Sequence, residues 1–186
     1  GISLKATEFQ ITNCAFTYAP RALTDNGYYY ININSTSGTS IIDNNTFVSD
    51  SGISRCRFII ITNVVVSSGT LQGKLLVSRN TQMISPFPLR HLLLIEEYVG
   101  SDFQLFIRSN TTNNEANAPV LLYHAVNSLF CFIEAVDNNI QNTAEKGLIG
   151  IDGSSTGTTN IFSSGNIIAN PVFRTGWTSA TVPASF

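Results

Sequence analysis

The chain has 186 residues, and its 10 Lys and Arg against 12 Asp and Glu give a formal net charge of −2. Charged residues make up 12%, about half the usual share of roughly 25% in globular proteins. There is no basic cluster and no apolar run near the roughly 20 residues that cross a bilayer, so the composition argues against nucleic-acid binding and against membrane insertion.

Short apolar segments that end in a polar residue recur along the chain. In chain order these polar residues are Thr12, Asp43, Thr62, Ser78, Glu96, Arg108, Glu134, Asp152 and Ser163. The spacings between successive segment ends cluster near 18 residues, with irregular exceptions. Asn or another turn former follows most segments, and no window shows helical periodicity. The pattern predicts an all-β protein.

The recurring Asn residues favour one all-β architecture. Stacked coils of a parallel solenoid repeat at about 4.8 Å, so equivalent residues form columns. Tight corners between strands need a left-handed backbone, which Asn and Gly tolerate best, and stacked Asn side chains can hydrogen-bond along a column. Continuous apolar runs suit buried parallel strands, and Asn26-Gly27 is the only Asn-Gly hairpin signal.

We therefore predict a right-handed parallel β-helix over residues 1–170, with an irregular or inserted segment near residues 85–128. Residues 171–186 are expected to form an extended tail or a cap. The alternative is a β-sandwich or jelly roll with Asn-rich loops.

Acidic residues carry the most pointed chemical hypothesis. If Glu134 and Asp152 lie on adjacent coils, their Cα atoms are about 5 Å apart. Paired carboxylates separate an acid from a base, and such a spacing suits a retaining glycosidase. Glu134, Asp152 and Glu96 are therefore the catalytic candidates, and Arg108 in the same column is expected to bind an acidic sugar. The alternative is a solvated column in which charges alternate.

Aromatic residues supply a second set of substrate-binding candidates. Tyr28, Tyr29 and Tyr30 stand in a row, and exposed Tyr rings stack on sugar faces. The alternative is that these rings pack in the core or against another chain. Trp177 lies in the polar segment FRTGWTSATVPASF, where it is expected to anchor the tail or to contact a neighbouring chain.

Cysteine and histidine show no ligand spacing. Cys14, Cys56 and Cys131 stand in apolar contexts and are predicted to be buried free thiols. His91 and His124 are predicted to be structural or surface residues. Because phosphate-binding, dinucleotide-binding and metal-ligand motifs are lacking, we expect no metal and no cofactor.

Three segments read ITNCAF, IIDNNTF and SGNIIANPVF. They resemble the coils of pectate-lyase-type β-helices, and those of phage tailspikes and neck appendages in particular. The resemblance implies a homotrimer in a virion tail or another extracellular setting, which binds a host surface polysaccharide or receptor. It leaves open a polysaccharide-degrading enzyme, either a glycoside hydrolase or a lyase, and a structural trimerisation or capping module.

Overall fold

The computed structural model describes residues 2–18, 28–35, 38–49, 56–62, 73–82, 91–96, 103–113, 121–124, 130–141, 149–152 and 158–168. All regular structure in these ranges is β-strand, and every strand pairing is parallel. No helix in them is long and apolar enough to cross a membrane. The all-β prediction is confirmed.

In the described part of the chain, eighteen strands form three sheets of six strands each. Sheet A contains β1 (Ile2–Lys5), β4 (Tyr28–Ser35), β7 (Cys56–Thr62), β10 (His91–Glu96), β13 (Leu121–His124) and β16 (Ile149–Asp152). Sheet B contains β2 (Gln10–Thr12), β5 (Thr39–Asp43), β8 (Gly73–Ser78), β11 (Phe103–Arg108), β14 (Phe130–Val136) and β17 (Thr158–Ser164). Sheet C contains β3 (Ala15–Tyr18), β6 (Thr46–Ser49), β9 (Thr81–Gln82), β12 (Thr111–Asn113), β15 (Asn139–Gln141) and β18 (Ile167–Ile168).

The chain visits sheets A, B and C in turn and repeats this order six times. We call each set of three consecutive strands a rung. Neighbours within a sheet belong to consecutive rungs and, apart from a shift between Leu4 and Lys5, pair in register. Ile41, Leu76 and Phe106, for example, fall in one column of sheet B. The predicted parallel stacking is confirmed. The β-sandwich alternative is wrong, because its sheets consist of antiparallel strands.

The strands between residues 85 and 128 belong to the same arrangement. Strands β10, β11, β12 and β13 each pair in register with the preceding and the following strand of their own sheet. The connections between most of these strands, and the predicted tail over residues 171–186, lie outside the described residues.

The core gathers buried side chains from all three sheets. Side chains alternate along a strand, and in β11 every second residue, from Phe103 to Ile107, is buried. The buried apolar residues that the structure describes are Ile11, Ile31, Ile33, Ile42, Phe47, Leu75, Val77, Leu92, Leu93, Phe103, Leu105, Ile107, Ile133, Ala135 and Ile140. Burying one such Ile, Leu or Phe side chain contributes about 1.5–3 kcal/mol, so this core is the main stabilising element of the fold.

Two residues connect each strand of sheet B to the next strand of sheet C. The first has a positive φ in every rung: Asn13 (58°), Asn44 (53°), Arg79 (52°), Ser109 (54°), Asp137 (54°) and Gly165 (64°). The second is Asn in rungs two to six: Asn45, Asn80, Asn110, Asn138 and Asn166. The left-handed corner and the stacked Asn residues were both predicted. The structure assigns the two roles to adjacent positions.

The stacked Asn residues form a hydrogen-bonded ladder, in which the side-chain amides of Asn80, Asn110, Asn138 and Asn166 each make four hydrogen bonds. Asn110 Oδ1 accepts from the backbone N–H and the Nδ2 of Asn80, both at 3.0 Å. Asn110 Nδ2 donates to the Val77 carbonyl and to Asn138 Oδ1. At Asn166 the Ser163 hydroxyl takes the place of the next Asn. A buried polar side chain is tolerated at this position because its donors and acceptor are satisfied.

Cys14 occupies the ladder position in the first rung. It is free but exposed, so the prediction of a buried thiol is wrong for this residue. Its backbone N–H still donates to Asn45 Oδ1, and its thiol donates to the Thr12 carbonyl at 3.4 Å. Among the described residues, the first rung stacks against another rung on one side only. The side chains of Cys56 and Cys131 lie outside the described part of the structure.

Candidate functional site

The solvent-facing side of sheet B presents an aromatic and charged cluster on rungs four to six. Phe106, Glu134 and Phe162 are consecutive members of one column. Phe132 lies two residues before Glu134, and Arg108 lies two residues after Phe106, so all five project from the same side of the sheet. We call these five residues the sheet B outer face.

Arg108 is held by two contacts within this face. Its Nε donates to Glu134 Oε1 at 2.6 Å, and its guanidinium carbon lies 5.0 Å from the centroid of the Phe106 ring. The Phe106 and Phe132 rings are tilted against each other with centroids 5.9 Å apart. The Arg108 side chain is 47% exposed. Salt bridges at such exposed sites contribute about 0.2–1 kcal/mol to stability. The main effect of the pair is therefore to orient the guanidinium of Arg108.

The outer face can bind a ligand that has apolar and hydroxylated surfaces. Phe162 is 52% exposed, which is unusual for a large apolar side chain. Aromatic rings pack against the C–H faces of sugars, and a planar guanidinium donates in two directions to neighbouring oxygen atoms. An aromatic surface of this kind with a fixed polar group in its centre is typical of a binding site.

A second charged cluster lies on rungs two and three. Arg79 Nε donates to Asp43 Oδ1 at 2.9 Å, a second guanidinium nitrogen contacts Asp43 Oδ2, and the Ser78 hydroxyl donates to Oδ1 at 2.6 Å. The hydrogen bonds from Arg79 hold the pKa of Asp43 below its ordinary value of 3.8, against the opposing effect of burial. These contacts join Asp43 on the second rung to Ser78 and Arg79 on the third, so the cluster connects neighbouring rungs.

The predicted stacking of Glu134 on Asp152 is wrong. Glu134 lies in sheet B, where its partner on the next rung is Phe162, whereas Asp152 lies in sheet A. Arg108 pairs with Ser78 and Val136, so it does not share the column of Glu134 either, although the two side chains meet diagonally. Strands of sheet A and strands of sheet B both carry a polar residue after an apolar run. The sequence pattern therefore assigned residues from two different sheets to one column. A catalytic role for these residues stays a prediction.

Two of the predicted acidic residues do share a column, with a histidine between them. Glu96 pairs with His124, and His124 pairs with Asp152, on consecutive strands of sheet A. Thr62 precedes Glu96 in the same column. The sequence signal was the spacing of 28 residues, which also separates Asn110 from Asn138 and Asn138 from Asn166.

The aromatic candidates lie partly or wholly outside the described residues. Tyr28 and Tyr29 pair with Cys56 and Arg57 across strands β4 and β7. The side chains of these tyrosines and of Tyr30 lie outside the described part of the structure, as does Trp177. Their predicted role in sugar binding stays a prediction.

Comparison with known protein families, curated proteins and solved structures finds no match to this chain. Among the side chains that the structure describes, no group of three or more His, Cys, Asp or Glu residues could hold a metal ion.

Proposed function

We propose that the chain forms a right-handed parallel β-helix that binds a host cell-surface polysaccharide or receptor, in the manner of a phage tail fibre or tailspike. The observation that carries the proposal is the sheet B outer face, where Phe106, Phe132 and Phe162 surround the Arg108–Glu134 pair. The site sits on three consecutive rungs, so its residues are fixed by strands rather than by loops.

The spacing of this face supports an extended ligand. Rungs repeat at about 4.8 Å, which is close to the length of one sugar in an extended chain. A linear polysaccharide that runs across the rungs places successive sugars over successive strands. Each sugar then meets one phenylalanine ring, while the guanidinium of Arg108 reaches ring or hydroxyl oxygens.

The proposal includes a homotrimer in a virion tail or another extracellular location. Its support is the low charge of 12% and the stacked parallel strands, both of which suit a durable fibre. Light scattering coupled to size-exclusion chromatography measures the oligomeric state. A trimer is expected, and a monomer at micromolar concentration contradicts this part of the proposal.

Binding to an array of bacterial surface polysaccharides tests the function directly. We expect binding of at least one polysaccharide, and a loss of about tenfold in affinity for both Phe162→Ala and Arg108→Ala, which corresponds to about 1.4 kcal/mol. Ile167→Ala is the matched control, because Ile167 is 67% exposed in the same rung but belongs to sheet C.

Unchanged affinity in both outer-face variants would place the binding site elsewhere on the molecule. Absence of binding to every polysaccharide on the array, with native circular dichroism, would contradict the proposed function. A loss of affinity in Ile167→Ala as large as in Phe162→Ala would indicate a general effect on the sixth rung rather than a site.

A further inference from the structure

The charges that the structure describes on rungs three to six of sheet B balance one another. Arg108 Nε donates to Glu134 Oε1 at 2.6 Å, so the positive charge of the guanidinium is compensated at hydrogen-bond distance. Two further exposed charges, Lys74 on β8 and Asp137 at the corner after β14, also have opposite signs. The cluster on rungs two and three is compensated internally. The described part of this surface therefore carries no net charge.

Glu134 places its negative charge beside the rings that contact a ligand. Its side chain is 17% exposed, and it stands between Phe106 and Phe162 in one column. A ligand group that packs on either ring lies about one rung, or roughly 5 Å, from Glu134. Two negative charges at this distance repel each other, and the repulsion is stronger beside apolar rings than in water. An acidic sugar is therefore disfavoured on this face.

The guanidinium of Arg108 is partly occupied as well. Carboxylates often bind arginine through two parallel N–H···O bonds. The edge of the guanidinium that contains Nε–H already donates to Glu134, while the side chain as a whole is 47% exposed. A hydroxyl group suits this arrangement, because it can accept from an Nη–H of Arg108 and donate to a carboxylate oxygen of Glu134.

Two amide side chains flank Phe132 in the neighbouring column. Phe132 pairs with Gln104 on the preceding rung and with Asn160 on the following rung. Gln104 is half-buried and Asn160 is exposed. An uncharged amide both donates and accepts hydrogen bonds, which suits the hydroxyl and N-acetyl groups of sugars. This column thus combines an aromatic ring with uncharged polar groups.

On the basis of the polysaccharide binding proposed above, we propose that the sheet B outer face selects neutral polysaccharides, built of hexoses and N-acetylhexosamines without acidic groups. Glu134 is the residue that determines this specificity. It accepts from sugar hydroxyls, compensates the charge of Arg108 and repels anionic sugars. We therefore revise the expectation that Arg108 binds an acidic sugar, because that expectation did not include the Arg108–Glu134 contact.

Binding of the full chain to matched pairs of polysaccharides tests the proposal. Each acidic polysaccharide of an array is immobilised in its native form and in a carboxyl-reduced form, in which the uronic acids have become neutral hexoses. Neutral polysaccharides are immobilised beside them. We expect the wild type to bind the neutral and carboxyl-reduced forms about tenfold more tightly than the native acidic forms. Glu134→Gln leaves Arg108 uncompensated, so it should reduce this preference by about tenfold.

Asp137→Asn is the matched control, because it removes one negative charge from the same rung. Among the described side chains, no hydrogen bond joins Asp137 to Arg108, and asparagine tolerates the φ of 54° that Asp137 adopts. An exposed charge is screened by salt, so the preference of this variant should stay within about threefold of that of the wild type. Circular dichroism establishes that each variant is folded, and the comparison of native with carboxyl-reduced polysaccharide on the wild type requires no variant.

Equal or tighter binding of the wild type to the native acidic forms overturns the proposal and leaves the proposed polysaccharide binding in place. An unchanged preference in Glu134→Gln also overturns it, as does an equal change in Asp137→Asn. Absence of binding to every neutral and acidic polysaccharide contradicts the proposed function itself, and the selection of neutral polysaccharides is then overturned with it.

Discussion

Asn80 and Asn110 are 30 residues apart in the sequence, and two hydrogen bonds join them. The backbone N–H and the side-chain Nδ2 of Asn80 both donate to Asn110 Oδ1 at 3.0 Å. A single buried oxygen thus satisfies one main-chain and one side-chain donor of the preceding rung. The ladder defines the register between rungs, because a shift by one residue would leave these groups without partners.

Replacement of Asn110 by Ala should destabilise the protein by about 3 kcal/mol. The substitution removes four hydrogen bonds and leaves the Asn80 N–H and the Val77 carbonyl without their side-chain partner. Urea unfolding followed by circular dichroism measures the change. Asn160→Ala is the matched control, since Asn160 is exposed on β17 and a surface substitution usually changes stability by less than about 0.5 kcal/mol. A loss below about 0.5 kcal/mol for Asn110→Ala would contradict the structural role of the ladder.

Ser109 tests the left-handed corner. Its φ is 54°, a conformation that costs a β-branched residue about 1–2 kcal/mol more than it costs Gly. Ser109→Val should therefore lower the free energy of unfolding by about that amount, whereas Ser109→Gly should change it by less than about 0.5 kcal/mol. Thr39→Val, at an exposed strand position, controls for the introduction of valine. Equal stability of the two Ser109 variants would exclude a left-handed backbone at this residue.

The class of the fold could be predicted from the sequence because its determinants are local. Apolar runs of strand length, the absence of helical periodicity and a turn former after each run are visible within short windows. The left-handed corner at Asn44-Asn45 and the stacked Asn residues follow from the conformational preferences of Asn and from its hydrogen-bonding groups.

The register could not be predicted in the same way. Segments ending at Glu96 and Arg108 have the same local pattern, yet one belongs to sheet A and the other to sheet B. The apparent repeat near 18 residues arose because strand ends of sheet A and strand ends of sheet B were counted in one series. Stacked Asn residues, which do occupy equivalent positions, are 28 to 35 residues apart. Connections of different length between the sheets prevent one fixed period from describing the whole chain. The Arg108–Glu134 contact is diagonal and joins neighbouring columns, so a pattern of strand ends in the sequence does not predict it.

Acid stability should depend on Asp43. Its pKa is lowered chiefly by the hydrogen bonds from Arg79, so the folded state favours the carboxylate. A carboxyl group with a lowered pKa contributes stability that is present above its unfolded pKa of about 3.9 and is lost as the pH falls through the folded value. Arg79→Gln should raise the pKa of Asp43, so the acid-induced loss of stability should begin at a higher pH than in the wild type.

Urea unfolding between about pH 2 and pH 6, together with the carboxyl chemical shift of Asp43, measures this effect over the range in which aspartate titrates. Lys74→Gln removes an exposed positive charge from the neighbouring strand β8 without removing a contact to Asp43, so its pH profile should match the wild type. A profile of Arg79→Gln that coincides with that of Lys74→Gln would show that net charge, rather than the Arg79–Asp43 contact, governs acid stability.

Arg108→Lys separates the charge of Arg108 from its shape. Lysine retains the positive charge but lacks the planar fork that both packs over the Phe106 ring and donates to Glu134. If the sheet B outer face binds a polysaccharide through an oriented guanidinium, Arg108→Lys should lose about tenfold in affinity, nearly as much as Arg108→Ala, which is about 1.4 kcal/mol. Binding at two salt concentrations distinguishes the explanations, because attraction by charge alone weakens with salt and would be preserved in the lysine variant. The contrary outcome is that Arg108→Lys binds with wild-type affinity and that its affinity depends strongly on salt. The face would then attract its ligand by charge, and the orientation of the guanidinium by Glu134 and Phe106 would not matter for binding.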